Sequence, residues 1–148
     1  MISFDDFLAV SRLDARYWAI ADLRSSDAAE LLFVPTGKLQ IGSLVLDGRD
    51  AIRQFLSERE KKHVETNRLT RHFASGFLLG EKAPGCLQAS SVLAVFAGAG
   101  SIPLASGVPS TIADVEDVFV RDDSGQWLFA SRIMRPVFVG AAAASFVR

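Results

Sequence analysis

The sequence predicts an α+β fold in which a strongly curved antiparallel sheet wraps around N-terminal helices. Three observations carry that reading. Helical spacing is gathered in the first part of the chain, ahead of a run of hairpin-connected strands, an order that argues against a parallel doubly wound sheet. Residues 67–80 alternate with period two, as expected when the two faces of a strand meet different surroundings. Turn chemistry at Glu81-Lys82-Ala83-Pro84-Gly85 and Asp122-Asp123-Ser124-Gly125 separates the strands that follow. A curved sheet folded over helices encloses an internal pocket, and one side of each long strand lines it.

In chain order, Ser3 can cap a first helix whose opening turn carries Asp5 and Asp6. Apolar residues at Phe4, Phe7, Leu8, Leu13, Tyr17, Trp18, Ile20 and Ala21 have helical spacing, and Asp22 stands near the end of that helix. After a break at Arg24-Ser25-Ser26, Asp27 and Glu30 are spaced like a capping box, which predicts a short second helix carrying Leu31 and Leu32. Pro35-Thr36-Gly37-Lys38 reads as the turn of a short hairpin with Leu39, Ile41 and Leu44-Val45-Leu46 beyond it. Asp47-Gly48 then opens a third helix with Ala51, Ile52, Phe55 and Leu56 as its apolar stripe. His63 lies in the charged run Lys61-Lys62-His63-Val64-Glu65 and reads as a surface residue.

Residues 87–97 resume strand character and include Ser90 and Ser91. Gly98-Ala99-Gly100 lacks the third glycine of a dinucleotide loop, and Pro103 and Pro109 forbid the helix that would hold phosphates, so this segment reads as a long loop. Residues 112–121 and 126–139 are the last two strands. The whole chain, 1–148, reads as one domain, with 140–148 either a short helix or a flexible tail.

Composition narrows the function classes. Hydrophobic residues make up 49% and charged residues 22%, which is globular composition on the apolar side. Lys+Arg 16 nearly matches Asp+Glu 17, and basic residues do not cluster with aromatics, so no nucleic-acid partner is expected. Cys86 is the single cysteine, which excludes an internal disulfide, and two histidines make a poor zinc site. No apolar run approaches the ~20 residues of a membrane span, and the acidic start lacks the basic region of a signal peptide. The expectation is a cytoplasmic protein with no membrane partner and no metal.

The alternating stretch carries the most chemistry. Its odd positions, Leu69, Arg71, Phe73, Ser75, Phe77 and Leu79, form a largely apolar face that a second subunit could cover. On the even face His72 stands among Thr70, Ala74 and Gly76, small neighbours that leave room beside the imidazole. His72 is therefore either a buried histidine satisfied by a neighbour or part of a pocket wall. Asp22 is likewise either a helix-end cap for Ser25 or Ser26, or a site carboxylate. Arg71 and Arg132 are expected to pair across strands with Asp114, Glu116 or Asp117, and Trp127 reads as core.

The chain resembles the NTF2-like superfamily, specifically its SnoaL-like group with scytalone dehydratase-like and bile-acid dehydratase-like members. The carriers are Tyr17 followed by Asp22 and Phe33, the helix start Gly48-Arg49-Asp50-Ala51-Ile52, the segment Thr70-Arg71-His72, and Trp127 with Arg132. The resemblance implies a cystatin-like cone with an internal pocket, and dimers formed through the sheet. It also implies Asp22 and His72 as the catalytic pair, with Tyr17, Trp18, Phe33, Phe55 and Ser91 touching a small hydrophobic molecule. An imidazole titrates near neutrality and a carboxylate fixes its tautomer, so such a pair can move a proton without a cofactor. The implied activity is that of a lyase or isomerase of dehydratase type. Dehydratase-like members carry a second histidine or a further acid on the next strand, where this chain offers only Ser90 and Ser91. The alternative is a non-catalytic binding module, or a subunit resembling the small subunit of aromatic-ring hydroxylating dioxygenases, because one fold hosts many functions.

Overall fold

Ser3 starts the first helix in both directions at once. Its hydroxyl accepts from the Asp6 backbone N–H, and the Asp6 carboxylate accepts from the Ser3 N–H, which satisfies two otherwise orphaned donors. The computed structural model describes residues 1–148. From that cap the chain forms α1 (Phe4–Ala21), a 3-10 turn (Ala29–Leu32), β1 (Phe33–Ile41), β2 (Leu44–Asp47) and α2 (Arg49–Glu65). Four long strands follow: β3 (Arg68–Ala83), β4 (Cys86–Ala99), β5 (Thr111–Arg121) and β6 (Trp127–Val139), before a last 3-10 turn (Ser145–Val147). No helix is long and apolar enough to cross a membrane.

The sheet has the order β2-β1-β6-β5-β4-β3. All its pairs are antiparallel except one: β1 runs parallel to β6, so the sheet is mixed. Both helices pack on its concave side. Val10, Leu13, Tyr17, Trp18 and Ala21 recur at helical spacing along the buried face of α1. They meet the inward residues of the strands, among them Leu93, Val115, Phe119 and Phe129. Beneath them Arg132, wholly buried, is held by Asp117 directly across the β5–β6 ladder and by Asp14 of α1.

Several sequence expectations are corrected. Pro35-Thr36-Gly37-Lys38 is not a turn: β1 runs through it with an irregularity between Phe33 and Lys38, and the chain reverses at Gly42-Ser43. A side chain at Gly37 would lie 2.8 Å from the Phe33 Cβ, so glycine lets this bulge fold onto its own strand. The second helix is only a 3-10 turn with Ala28 as its cap residue; Asp27 faces Arg16 instead and caps nothing.

The odd face of β3 also proves discontinuous. Gly76 takes φ +69°, and the register with β4 shifts between Ser75 and Leu78. One extra residue reverses the facing of everything beyond it. Phe73 therefore points outward while Phe77 and Leu79 turn in against the core, and Phe77 meets Phe7 of α1. Across the convex side a row remains: Phe73 opposite Ala94, Ala94 opposite Ile112, and Ile112 opposite Phe138. Phe73 and Phe138 are largely exposed, and the Phe73 ring meets Phe96 edge-on.

The C-terminal tail is packed across one end of the concave face. Arg68 donates to the Ala142 carbonyl, Ser43 to that of Phe146, and the Phe146 ring stands edge-on to Phe55 of α2. Gly42 makes this possible, because a Cβ there would sit 2.3 Å from the Val147 carbonyl oxygen.

Candidate active site

Two local rules bring the central pair together. The buried face of α1 runs through Trp18 and Ala21, so the next residue, Asp22, is carried to the helix end and under the sheet. Period two on β3 turns Thr70 and His72 inward together, ahead of the Gly76 reversal. The result is a carboxylate with three donors. Asp22 accepts from the Thr70 hydroxyl at 2.9 Å, from the His72 backbone N–H at 2.9 Å, and lies 2.5 Å from His72 Nδ1. No hydrogen bond to Ser25 or Ser26 competes for it.

Burial works against ionisation of Asp22, but its hydrogen bonds to His72 and Thr70 and the attraction of the imidazole outweigh it, and the pKa is lowered. An ionised Asp22 can only accept, so Nδ1 carries the ring proton and Nε2 is the nitrogen left for a ligand. Arg59 of α2 braces the same corner, donating to the Ala21 carbonyl at 2.6 Å and to the Thr70 hydroxyl at 3.4 Å.

The imidazole is also fixed from its face. Trp18 stacks on His72 with centroids 5.0 Å apart and planes 19° from parallel. The Trp18 N–H donates to Asp14 at 3.0 Å, and the Arg132 guanidinium lies 4.5 Å from the Trp18 ring. Arg132 is charged despite complete burial, because Asp117 and Asp14 more than offset the desolvation and raise its pKa. His72, Trp18 and Arg132 thus form a layered stack whose outermost ring faces the cavity.

That cavity has a volume of about 430 Å3 and is mostly apolar. Of the residues expected to touch substrate, Tyr17, Trp18 and Phe55 line it with His72, while Asp22 stands behind the imidazole and off the wall. Phe33 and Ser91 do not line it. Phe33 is wholly buried in an aromatic cluster with Tyr17 and Phe129, and Ser91, although inward, lies nearer the closed end of the sheet than Leu93 and Val95, which do reach the cavity. Tyr17 remains a neutral phenol, its pKa raised to about 12 by burial against the pull of Arg132 and Arg59.

The wall holds residues the sequence reading did not select. His63, assigned to the surface, is 7% exposed and lines the cavity with Arg59, Lys62 and Arg68. The signal was present: Ile52, Phe55, Leu56, Arg59 and His63 follow i, i+3, i+4, i+7, i+11, one stripe of α2. The charges interleaved with it on the opposite face concealed the period. The tail residues Phe146 and Val147 complete the wall.

A SnoaL-like domain matches residues 3–133, and the chain belongs to that family, within the NTF2-like superfamily. No curated protein sequence matches it. Among solved structures it is similar to ActVI-ORFA from Streptomyces coelicolor, with a TM-score of 0.76 and 20% identity over 90% of this chain and 96% of that one. A candidate scytalone dehydratase from Novosphingobium aromaticivorans gives a TM-score of 0.71 at 19% identity, covering 95% of both chains. A Catenulispora acidiphila protein in complex with S-DNPA gives 0.69 at 23% identity, over 88% of this chain and 92% of that one. At these identities the likeness establishes the fold.

Proposed function

We propose that this SnoaL-like domain is a lyase or isomerase, working by acid–base chemistry on a hydrophobic cyclic ketone or hydroxyketone, with His72 as the proton-transfer group and Asp22 as its positioning partner. The observation that carries this reading is the Asp22–His72 pair set in the wall of an apolar cavity, with one ring nitrogen tied and the other left open. Nε2 takes the proton from the carbon beside the carbonyl, and the C–H electron pair moves into the carbonyl to give an enolate. The imidazolium that forms is stabilised by the Asp22 carboxylate, which Thr70 and the His72 N–H hold in place. The same proton then returns to another carbon, which is isomerisation, or to a β-hydroxyl that departs as water, which is dehydration.

The test needs no natural substrate. In deuterium oxide the wild type should accelerate exchange of the acidic α-protons of 2-tetralone, read by proton NMR, and His72→Gln should abolish the acceleration. Binding of 2-tetralone with no exchange above buffer would favour the second reading, a binding module, which the lack of an acid on β4 supports.

We also propose that the chain forms a homodimer through its convex face. Phe73, Val92, Phe96 and Phe138 are exposed there, and the row from Phe73 to Phe138 crosses four strands without a charge. This face replaces the one expected from the sequence, since Phe77 and Leu79 are turned inward.

A further inference from the structure

We propose that His63 is a second substrate-contacting group of this cavity, an N–H donor that holds the carbonyl oxygen of the substrate while His72 removes the neighbouring proton. The inference rests on the acid–base reading above and assigns the oxyanion-stabilising group that β4 does not supply. Three observations carry it. First, the inner stripe of α2 delivers the His63 ring to the cavity wall, on a different element from His72. Second, the His63 ring makes no hydrogen bond to any protein group, and its nitrogens are not sealed from solvent, so on the cavity wall they are free to meet a ligand. A ligand oxygen is the partner this geometry accommodates.

Third, the surroundings suit a developing negative charge. Arg59 and Lys62 from α2 and Arg68 from β3 line the same wall, and Glu58 is the one carboxylate among the lining residues. Arg59 is committed to the Ala21 carbonyl and the Thr70 hydroxyl, and Arg68 to the Ala142 carbonyl of the tail. Their charges are thereby fixed near the cavity while His63 remains an uncommitted donor on its wall. Burial, reinforced by Arg59, Arg68, His72 and Lys62, pushes the His63 pKa down to about 4. At neutral pH it is therefore an uncharged imidazole, able to donate one N–H without competing with His72 for the transferred proton. When Nε2 of His72 takes the α-proton, the C–H pair becomes a carbon–carbon double bond, the carbonyl π pair moves onto oxygen, and the resulting negative charge rests on the oxygen that His63 holds.

The enol of 2-tetralone is mimicked by 2-naphthol, and naphthalene is the same ring system without the oxygen. Affinities of both probes can be measured by titration for the wild type, for His63→Leu, which fills the same space without nitrogens, and for His63→Gln, which keeps a donor. The expected result is a loss of about tenfold for 2-naphthol in His63→Leu, the worth of one hydrogen bond in a buried site. Naphthalene affinity should be unchanged, and His63→Gln should recover most of the loss. Equal losses for both probes, or no loss for 2-naphthol, would overturn the proposal. If the wild type binds naphthalene and gains nothing from the hydroxyl, His63 alone is misassigned. Failure to bind either probe would take the aromatic-cavity reading down with it.

Discussion

Two charged clusters lie on the two sides of Trp18, and they are built to opposite ends. On one side Arg132 has no exposure at all. Asp117 and Asp14 share its guanidinium, and the rings of Tyr17, Trp18 and Phe129 lie 4.4 to 4.5 Å from it. Only Nη1 lacks a hydrogen-bond partner, and it is sealed among aromatic rings where no solute can reach it. On the other side Asp22 is nearly as buried as Arg132, but its partner His72 lines the cavity. Both clusters join α1 to the sheet. The closed one can only hold the fold together, whereas the open one keeps an unspent nitrogen beside an apolar space. Burial and pairing therefore do not mark a site; an unfilled valence facing a cavity does.

The largest expected effect is on the closed side. Arg132→Met leaves Asp117 buried without its cation, and urea denaturation should show a loss of about 3–5 kcal/mol, enough to threaten folding. On the open side Asp22→Ala removes three hydrogen-bond acceptor contacts that tie α1 to β3, and should cost about 1–3 kcal/mol by the same measurement. If Asp22→Ala destabilised as much as Arg132→Met, the two clusters would have one role rather than two.

pH separates the open wall further. The folded-state pKa of His63, about 4, lies below its ordinary value of 6.5. Between these values the unfolded chain binds a proton that the folded chain refuses. Stability is thus fully retained above about pH 6.5 and is lost progressively as pH falls towards 4, on the order of 1–3 kcal/mol in total. His63→Gln should flatten that part of the curve. Asp22 acts in a lower window: its pKa is depressed, so its contribution is present above the ordinary carboxylate value of 3.8 and is lost only as pH falls beneath it. The smallest effect belongs to the convex face. Phe73→Lys should convert a dimer to a monomer in light scattering at micromolar concentration while leaving the melting temperature of the monomer nearly unchanged, and a wild type that is already monomeric would remove that proposal.

What could be read from the sequence was what depends on local period. The Ser3 cap, the stripe through Tyr17 and Trp18, and the inward pair Thr70 and His72 follow from 3.6-residue and two-residue repeats, and they bring Asp22 to His72. Whatever depends on a single break in period was not legible. Gly76 reverses half of β3, Gly37 turns an apparent hairpin into a bulge, and both need a partner strand before their effect exists. The parallel pairing of β1 with β6 joins segments far apart in sequence, and nothing in either strand announces it. Phe33 and Ser91 face the right side of the sheet at the wrong depth, a distinction that alternation cannot make. His63 was hidden for another reason: charged residues on the outer face of α2 outnumber the apolar ones within.

The contrast between the closed and open clusters is tested most directly by measuring His72→Gln for both melting temperature and α-proton exchange of 2-tetralone. Glutamine can still donate to Asp22, so the variant should melt within a few degrees of the wild type, roughly a 1 kcal/mol change or less. Exchange should fall by about 10²–10⁴-fold, the usual worth of a positioned general base. A variant that melts far below wild type, or one that exchanges 2-tetralone as fast as wild type, would show that His72 belongs with Arg132 as part of the framework.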